Sequence, residues 1–260
     1  MFFINNCVRL FAMLYLVTFL YSCQSVKVLN DGIQEGYEAI NPASIIAVPV
    51  FTIPDPSVSA TVDPAIIHTH QFISKLENKI MESFKGQPNI NGYSFSAVNN
   101  ILVKAKPDIW KNLNTNLNNI SKRFSSRDPV IRSIISSSCL GRKNFVEFYS
   151  FCVAPDSIWI SDLNQLALKV LNADTALLAV IKNLHSTVTN DIYTLNGGVS
   201  VLLIDTNNAK LIWGKDKYLS LTNPTDKKYF PTVEELLNSI FSDDFWDGFP
   251  GRLPKNKTKT

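Results

Sequence analysis

Asn172-Ala-Asp-Thr-Ala-Leu-Leu-Ala-Val-Ile181, followed by Gly198-Val-Ser-Val-Leu-Leu-Ile-Asp205 and Lys210-Leu-Ile-Trp-Gly214, is the stretch from which the fold of this chain can be read. Thr175 to Ile181 is a short run of apolar and β-branched residues entered through a polar turn, the pattern of a buried strand. The next two runs are separated by Thr206-Asn-Asn-Ala209, which predicts a hairpin. A further strand is predicted at Lys217 to Leu221. Gly197-Gly198 marks a bulge or a hairpin turn. It is not a phosphate loop, because a strand rather than a helix follows and no lysine stands at the spacing of a cradle.

Working outward, Ser44-Ile-Ile-Ala-Val-Pro-Val-Phe51 predicts another buried strand, with Pro49 pointing to an unpaired side. Ile66, Ile73, Leu76, Ile80 and Phe84 recur at helical spacing and predict a helix with one stripe on a sheet. Tyr93-Ser-Phe-Ser-Ala-Val98 alternates like a half-buried strand. Pro107 suits the first turn of a helix through Trp110, Leu113, Leu117, Ile120 and Phe124, and Asp128-Pro129 suits the start of another through Ile131, Ile134 and Ile135. Residues 99–158 read as a mainly helical insertion. Ser161-Asp162 is expected to cap a helix from Leu163 to Leu171, and Thr232 another from Val233 to Phe241, with Glu235 as its capping-box partner. The order is β-α-β-insertion-α-β-β-β-α: an α/β (α+β) fold with a mixed sheet of about five strands and helices packed on it. One such domain is expected over 44–249, ahead of a basic and polar tail at 250–260 with no core to order it.

Ala-Val-Pro-Val-Phe51, Asn-Ala-Asp174 leading into Leu-Leu-Ala-Val-Ile181, and Leu-Leu-Ile-Asp-Thr-Asn-Asn-Ala-Lys-Leu-Ile-Trp213 together resemble the α/β domain of envelope lipoproteins. This is the group of the curli secretion lipoprotein, the penicillin-binding protein activator lipoproteins and the N-terminal domain of the Tol system's propeller protein. Its members carry an Ala-Asp before a central strand and an Asp-x-x-x-Gly-x-x-Val-Trp hairpin. Asp205 and Trp213 match, and Ala209 stands near the place of the glycine. The likeness covers about 44–84 and 161–241 and implies a binding or assembly domain without catalytic chemistry.

The beginning of the chain agrees with an envelope address. Leu20-Tyr21-Ser22-Cys23 closes an apolar run that starts at Leu10 and resembles the lipobox of a bacterial lipoprotein signal peptide. Twelve helical residues span roughly 18 Å against a hydrocarbon core of about 30 Å, too short to cross a membrane comfortably. The resemblance implies cleavage after Ser22 and acylation of Cys23, with Gln24 favouring the outer membrane, the domain facing the periplasm or the surface. Two or more acyl chains, each buried CH₂ contributing about 0.8 kcal/mol, would anchor the protein stably. The alternative is an ordinary secretory signal cut at the same place. Residues 23–43, polar and small with Gly32, Gly36 and Pro42, read as a tether.

With Arg9 removed along with the signal, the 25 basic residues become 24 against 22 acidic ones. So balanced a charge, in such a compartment, excludes nucleic acid as a partner. Cys7 leaves with the signal, Cys23 takes the lipid, and Cys139 with Cys152 remain as a pair in an oxidising compartment. A disulfide between them would contribute roughly 3 kcal/mol by loop closure. Two buried free thiols are the alternative.

No residue pattern predicts catalytic, cofactor or metal chemistry. His68 and His70, at i and i+2, point to different sides of a helix, and His185 is expected in a turn after the strand. Asp243, Asp244 and Asp247 lack the ligand spacing of a calcium loop. That run reads as a helix end whose aromatics pack on the body, with a contact patch of Phe245, Trp246 and Phe249 as the alternative. The function expected is a lipid-anchored, non-catalytic adaptor or assembly subunit that binds an envelope protein, self-association being open. The other reading is an envelope hydrolase whose site is formed by the 99–158 insertion.

Overall fold

Ala176 to Ile181 are each 1% exposed or less, so this strand meets no water on either face. It is the middle of β4 (Thr175–Thr189), which pairs antiparallel with β5 (Ile192–Asp205). The computed structural model describes residues 32–33, 44–53, 69–87, 90–125, 128, 130, 158–171, 173–224 and 229–252. The remaining elements are β1 (Gly32–Ile33), β2 (Ser44–Ile53), α1 (Thr69–Phe84), β3 (Asn91–Ser94), α2 (Phe95–Ala105), α3 (Pro107–Ser125), α4 (Ile158–Leu171), β6 (Leu211–Pro224), α5 (Val233–Ile240) and a 3₁₀ turn (Asp243–Trp246). The strands form one mixed sheet in the order β1-β6-β5-β4-β2-β3. β2 runs parallel to β3 and β4, and the other pairings are antiparallel.

Alternate side chains of the central strands feed two cores. On one face Ile46, Leu178, Val180, Leu202 and Ile204 meet Leu102 of α2, Trp110, Leu113, Leu117 and Ile120 of α3, and Trp159, Leu163 and Leu166 of α4. On the other, Ile45, Leu177, Ala179, Ile181, Val201 and Leu203 meet Leu76, Ile80 and Phe84 of α1 and Leu236, Leu237 and Ile240 of α5. Leu76, Ile80 and Phe84 of α1, Trp110, Leu113, Leu117 and Ile120 of α3, and Leu236, Leu237 and Ile240 of α5 lie inward as their spacing predicts, while the helix expected through Ile131, Ile134 and Ile135 lies outside the described residues. The capping box of Thr232 and Glu235 is present: Glu235 N–H donates to the Thr232 hydroxyl, and Thr232 N–H to the Glu235 carboxylate at 2.6 Å. The described part of 99–158 is helical and covers one face of the sheet with the side chains of Leu102 to Ile120.

Several local expectations are corrected. Of Tyr93 to Val98 only Tyr93 and Ser94 are strand, as the end of β3, because the Ser94 hydroxyl accepts the Ala97 N–H at 2.9 Å and starts α2 at Phe95. Ser161 and Asp162 lie inside α4, which begins at Ile158 so that Trp159 and Ile160 can be buried. Gly32 and Ile33, in the stretch read as a tether, pair with Gly214 and Trp213 on the edge of β6. β4 runs on past Ile181, so His185 lies in the strand and not in a turn. The two strands then close through Asn190-Asp191, both at positive φ (48° and 58°), the two-residue turn whose twist suits a hairpin.

Two irregularities have visible causes. Between Val48↔Leu178 and Phe51↔Val180, Pro49 and Val50 stand opposite Ala179 alone. Proline has no N–H for the ladder and falls in this bulge. Likewise Asn183 and Leu184 stand opposite Gly197. A Cβ on Gly197 would lie 3.0 Å from both Leu184 Cδ1 and Leu236 Cδ2, so glycine lets α5 settle on the bulge.

The second core is closed by the segment after α5. Trp246 stacks on Trp213 at 5.9 Å and meets Phe84 edge-on at 5.1 Å, while Phe249 meets Trp213 at 4.8 Å. Phe245, Trp246 and Phe249 are at most 3% exposed, so the contact patch is overturned in favour of packing on the body. Trp246→Ala is expected to cost about 3–5 kcal/mol, read as a lower denaturant midpoint, with Trp246→Phe losing less because the ring contacts survive.

Candidate functional site

Of the residues that carried the family resemblance, Asp174, Asp205 and Ala209 come together where β5 turns into β6 beside the start of β4. Asp205 N–H donates to the Lys210 carbonyl at 2.9 Å, and Asn207 N–H donates to the Asp205 carboxylate at 2.8 Å. Lys210 N–H donates to the Asn208 amide oxygen at 2.9 Å. The Thr206 N–H and hydroxyl both donate to the Asp174 carbonyl, at 3.1 and 2.6 Å, and Asn164 of α4 donates its amide to the Thr206 hydroxyl. Thr206 is 4% exposed, which makes these bonds obligatory rather than decorative. Asp174 and the Asp-Thr-Asn-Asn segment therefore lock helix, strand and hairpin together. Ala209 sits at φ 58°, the left-handed conformation that glycine adopts without cost.

A second polar group joins β6 to the 3₁₀ turn. Lys217 Nζ donates to Ser242 Oγ at 2.6 Å and to Asp244 Oδ1 at 3.3 Å, and Ser242 Oγ donates to Asp244 Oδ1 at 2.6 Å. A serine beside a lysine invites comparison with a nucleophile and its base. Here Lys217 bridges the hydroxyl and the carboxylate, and the hydroxyl also reaches the Ser239 carbonyl at 3.2 Å, so the trio ties the 3₁₀ turn to β6. The Ser242 hydroxyl, and after it Lys217, hold the Asp244 carboxyl below the usual carboxylate range. Asp162 goes the other way: half-buried between α4 and α3, its carboxyl is pushed up by burial and partly brought back by a hydrogen bond from Asn116.

A cleft of about 560 Å³ opens between α1 and the β3 edge, lined by Asn78, Met81, Lys85, Gln87 and Tyr93 among others. Its charged residues are Glu82 and Lys85, and the Glu82 carboxylate accepts from the Lys79 ammonium at 3.5 Å. Among the described residues no cluster of three histidines, cysteines or carboxylates stands at metal-binding distances. His185 faces Asn196 across the β4–β5 ladder, its ring nitrogen 3.2 Å from the amide. Asp244 and Asp247 are exposed on the 3₁₀ turn. Cys23, Cys139, Cys152 and His68 lie outside the described residues, as do residues 1–31 and 253–260.

The end of the β4–β5 hairpin escaped the sequence reading. Val188 (56% exposed), Ile192 (43%), Tyr229 (52%) and Phe230 (37%) are bared there, and the Phe230 ring lies 4.1 Å from that of Tyr193. Asn190-Asp191 between two β-branched stretches was the available signal.

No protein-family model matches the chain, and no curated protein sequence matches it. Solved structures give distant likenesses. The lipoprotein GNA1162 from Neisseria meningitidis is 12% identical, with 76% of this chain and 95% of that one covered at a TM-score of 0.31. For the PelC dodecamer from Paraburkholderia phytofirmans the figures are 10%, 86%, 96% and 0.38. For the LpoB C-terminal domain from Escherichia coli they are 14%, 72%, 90% and 0.32. Likenesses this remote carry no argument about activity or assembly.

Two outcomes are expected. A carboxyl raised in the folded state favours folding fully below its unfolded value and loses that contribution as pH rises through the folded one. Asp162→Asn should therefore raise the thermal midpoint at pH 7, with the gain shrinking toward pH 3. Asp244→Asn should lower it at pH 7, and that loss too should vanish on acidification. At position 209, Ala209→Gly is expected to gain up to about 1 kcal/mol by relieving the positive φ, while Ala209→Val loses at least about 1 kcal/mol, both read by denaturant unfolding.

Proposed function

We propose that this chain is a lipid-anchored protein of the bacterial envelope, acting without catalysis as an adaptor or assembly subunit for another envelope protein. The observation that carries the proposal is Leu20-Tyr-Ser-Cys23 at the end of an apolar run, followed nine residues later by the first strand of a folded α/β unit. That is the layout an acylated cysteine requires. The polar groups that draw attention as chemistry, Lys217 with Ser242 and Asn164 with Thr206, are taken up in fastening turns. Gln24 favours the outer membrane as the destination, and a disulfide between Cys139 and Cys152 fits the compartment.

Leu102, Trp110, Leu113, Leu117 and Ile120 of 99–158 are spent on the sheet, which favours the adaptor over a hydrolase built there, while Ile101, Val103, Val130 and Ile158 of the same stretch are exposed. Mass spectrometry of the mature N-terminus tests the anchor: an acylated cysteine at 23 is expected, and Cys23→Ala should leave the chain unprocessed or soluble. A mature terminus that begins elsewhere and carries no lipid would overturn it. Affinity purification of the acylated protein from envelopes should recover a stoichiometric protein partner. Recovery of the chain alone would refute the adaptor role.

A further inference from the structure

The β4–β5 hairpin turns through the exposed Asn190-Asp191, and bared apolar side chains flank that turn. Val188 and Ile192 flank the Asn190-Asp191 turn on the two strands, and Tyr193 carries Phe230 against it. Tyr229 beside Phe230 is half exposed. In the sequence this aromatic pair directly follows Lys227-Lys228. Aromatic rings next to lysines, with short aliphatic side chains alongside, are the composition of a surface that settles at the boundary between lipid headgroups and acyl chains.

The chain's own course points the same way. β1 runs antiparallel to β6, pairing Gly32 with Gly214, so the N-terminal end of β1 is directed along β6 toward Pro224, which stands opposite Ile192 at the hairpin end. From Gly214 to Pro224 is ten residues of strand, about 34 Å. From Cys23 to Gly32 is nine residues, a reach of at most about 32 Å. A fully extended segment would bring a lipid on Cys23 to within about 2 Å of the level of the hairpin end, close enough for both to meet one membrane surface.

We propose that the hairpin end, Val188 to Tyr193 with Tyr229 and Phe230, seats on the bilayer that holds the acyl chains, so that the domain stands on the membrane in one orientation. The occupant is lipid, with the two lysines suited to anionic headgroups. This rests on the Cys23 anchor, and the experiment separates the two.

The full acylated chain is reconstituted into vesicles of phosphatidylethanolamine and phosphatidylglycerol with brominated acyl chains. Flotation reports the anchor. Quenching of an indole introduced by Val188→Trp reports the seating, with Ile101→Trp on α2 as the reference and the unsubstituted protein as background, its described tryptophans being buried. The expected result is flotation of all three, with loss of emission at position 188 and none at 101. Flotation with emission at 188 intact, or with equal quenching at both positions, overturns the seating while leaving the anchor. A chain that does not float overturns both. Emission at 188 that shifts to the blue with protein concentration and ignores bromine identifies a second copy as the occupant, and likewise overturns the proposal.

Discussion

Everything in this structure follows from a central strand with no side to give to water. Ala176 to Ile181 project alternately into two cores, and a strand in that position needs neighbours at both edges and cover on both faces. β2 and β5 supply the edges, one parallel and one antiparallel, so the sheet is mixed. The parallel side requires a crossover, and α1 provides the helix that covers one face. α2, α3 and α4 cover the other.

The two faces are closed by different means. On the side of α2 to α4 the cover comes from regular helices, whose aliphatic side chains are joined by Trp110 and Trp159. On the other side two helices leave a gap at the β6 edge, and the gap is filled by rings: Trp213, Trp246, Phe249, Phe241 and Phe84 meet edge-on or stacked at 4.8 to 5.9 Å. Large rings span the distance that short helices do not. The buried indole N–H groups of Trp213 and Trp246 have no hydrogen-bond partner, and neither does that of Trp159 in the other core. The fastening of Ser242 and Asp244 to Lys217 holds this segment down.

Polar side chains at the lower end of the sheet do structural duty. Thr206, Asn164 and the Asp174 carbonyl make a buried set of bonds, and removing any one strands the others. At the opposite end of β4 and β5 the residues from Thr187 to Ile192 are exposed, Val188 and Ile192 among them.

From periodicity and capping alone, α3, α5 and the cores of β2, β4 and β5 were legible, because Trp110 to Ile120 and Thr232 with Glu235 are local signals that need no partner. Ser94 as a cap was not, since alternation of Tyr93, Phe95 and Ala97 mimics a strand until β3 is seen to have a neighbour on one side only. The helix start at Ile158 was hidden in the same way, because Trp159 and Ile160 are helical only to reach a core already built. Of the candidate site, the polar signature Asp174, Asp205, Ala209 and Trp213 was legible as a pattern, whereas its role as a lock needed Asn164, 42 residues away from Thr206. The sequence by itself determined the apolar runs, the caps and the lipobox-like Cys23, which are properties of neighbouring residues. Tertiary structure alone decided which aromatics are buried and which are bared, because Trp246 and Phe230 differ in what the rest of the chain brings against them.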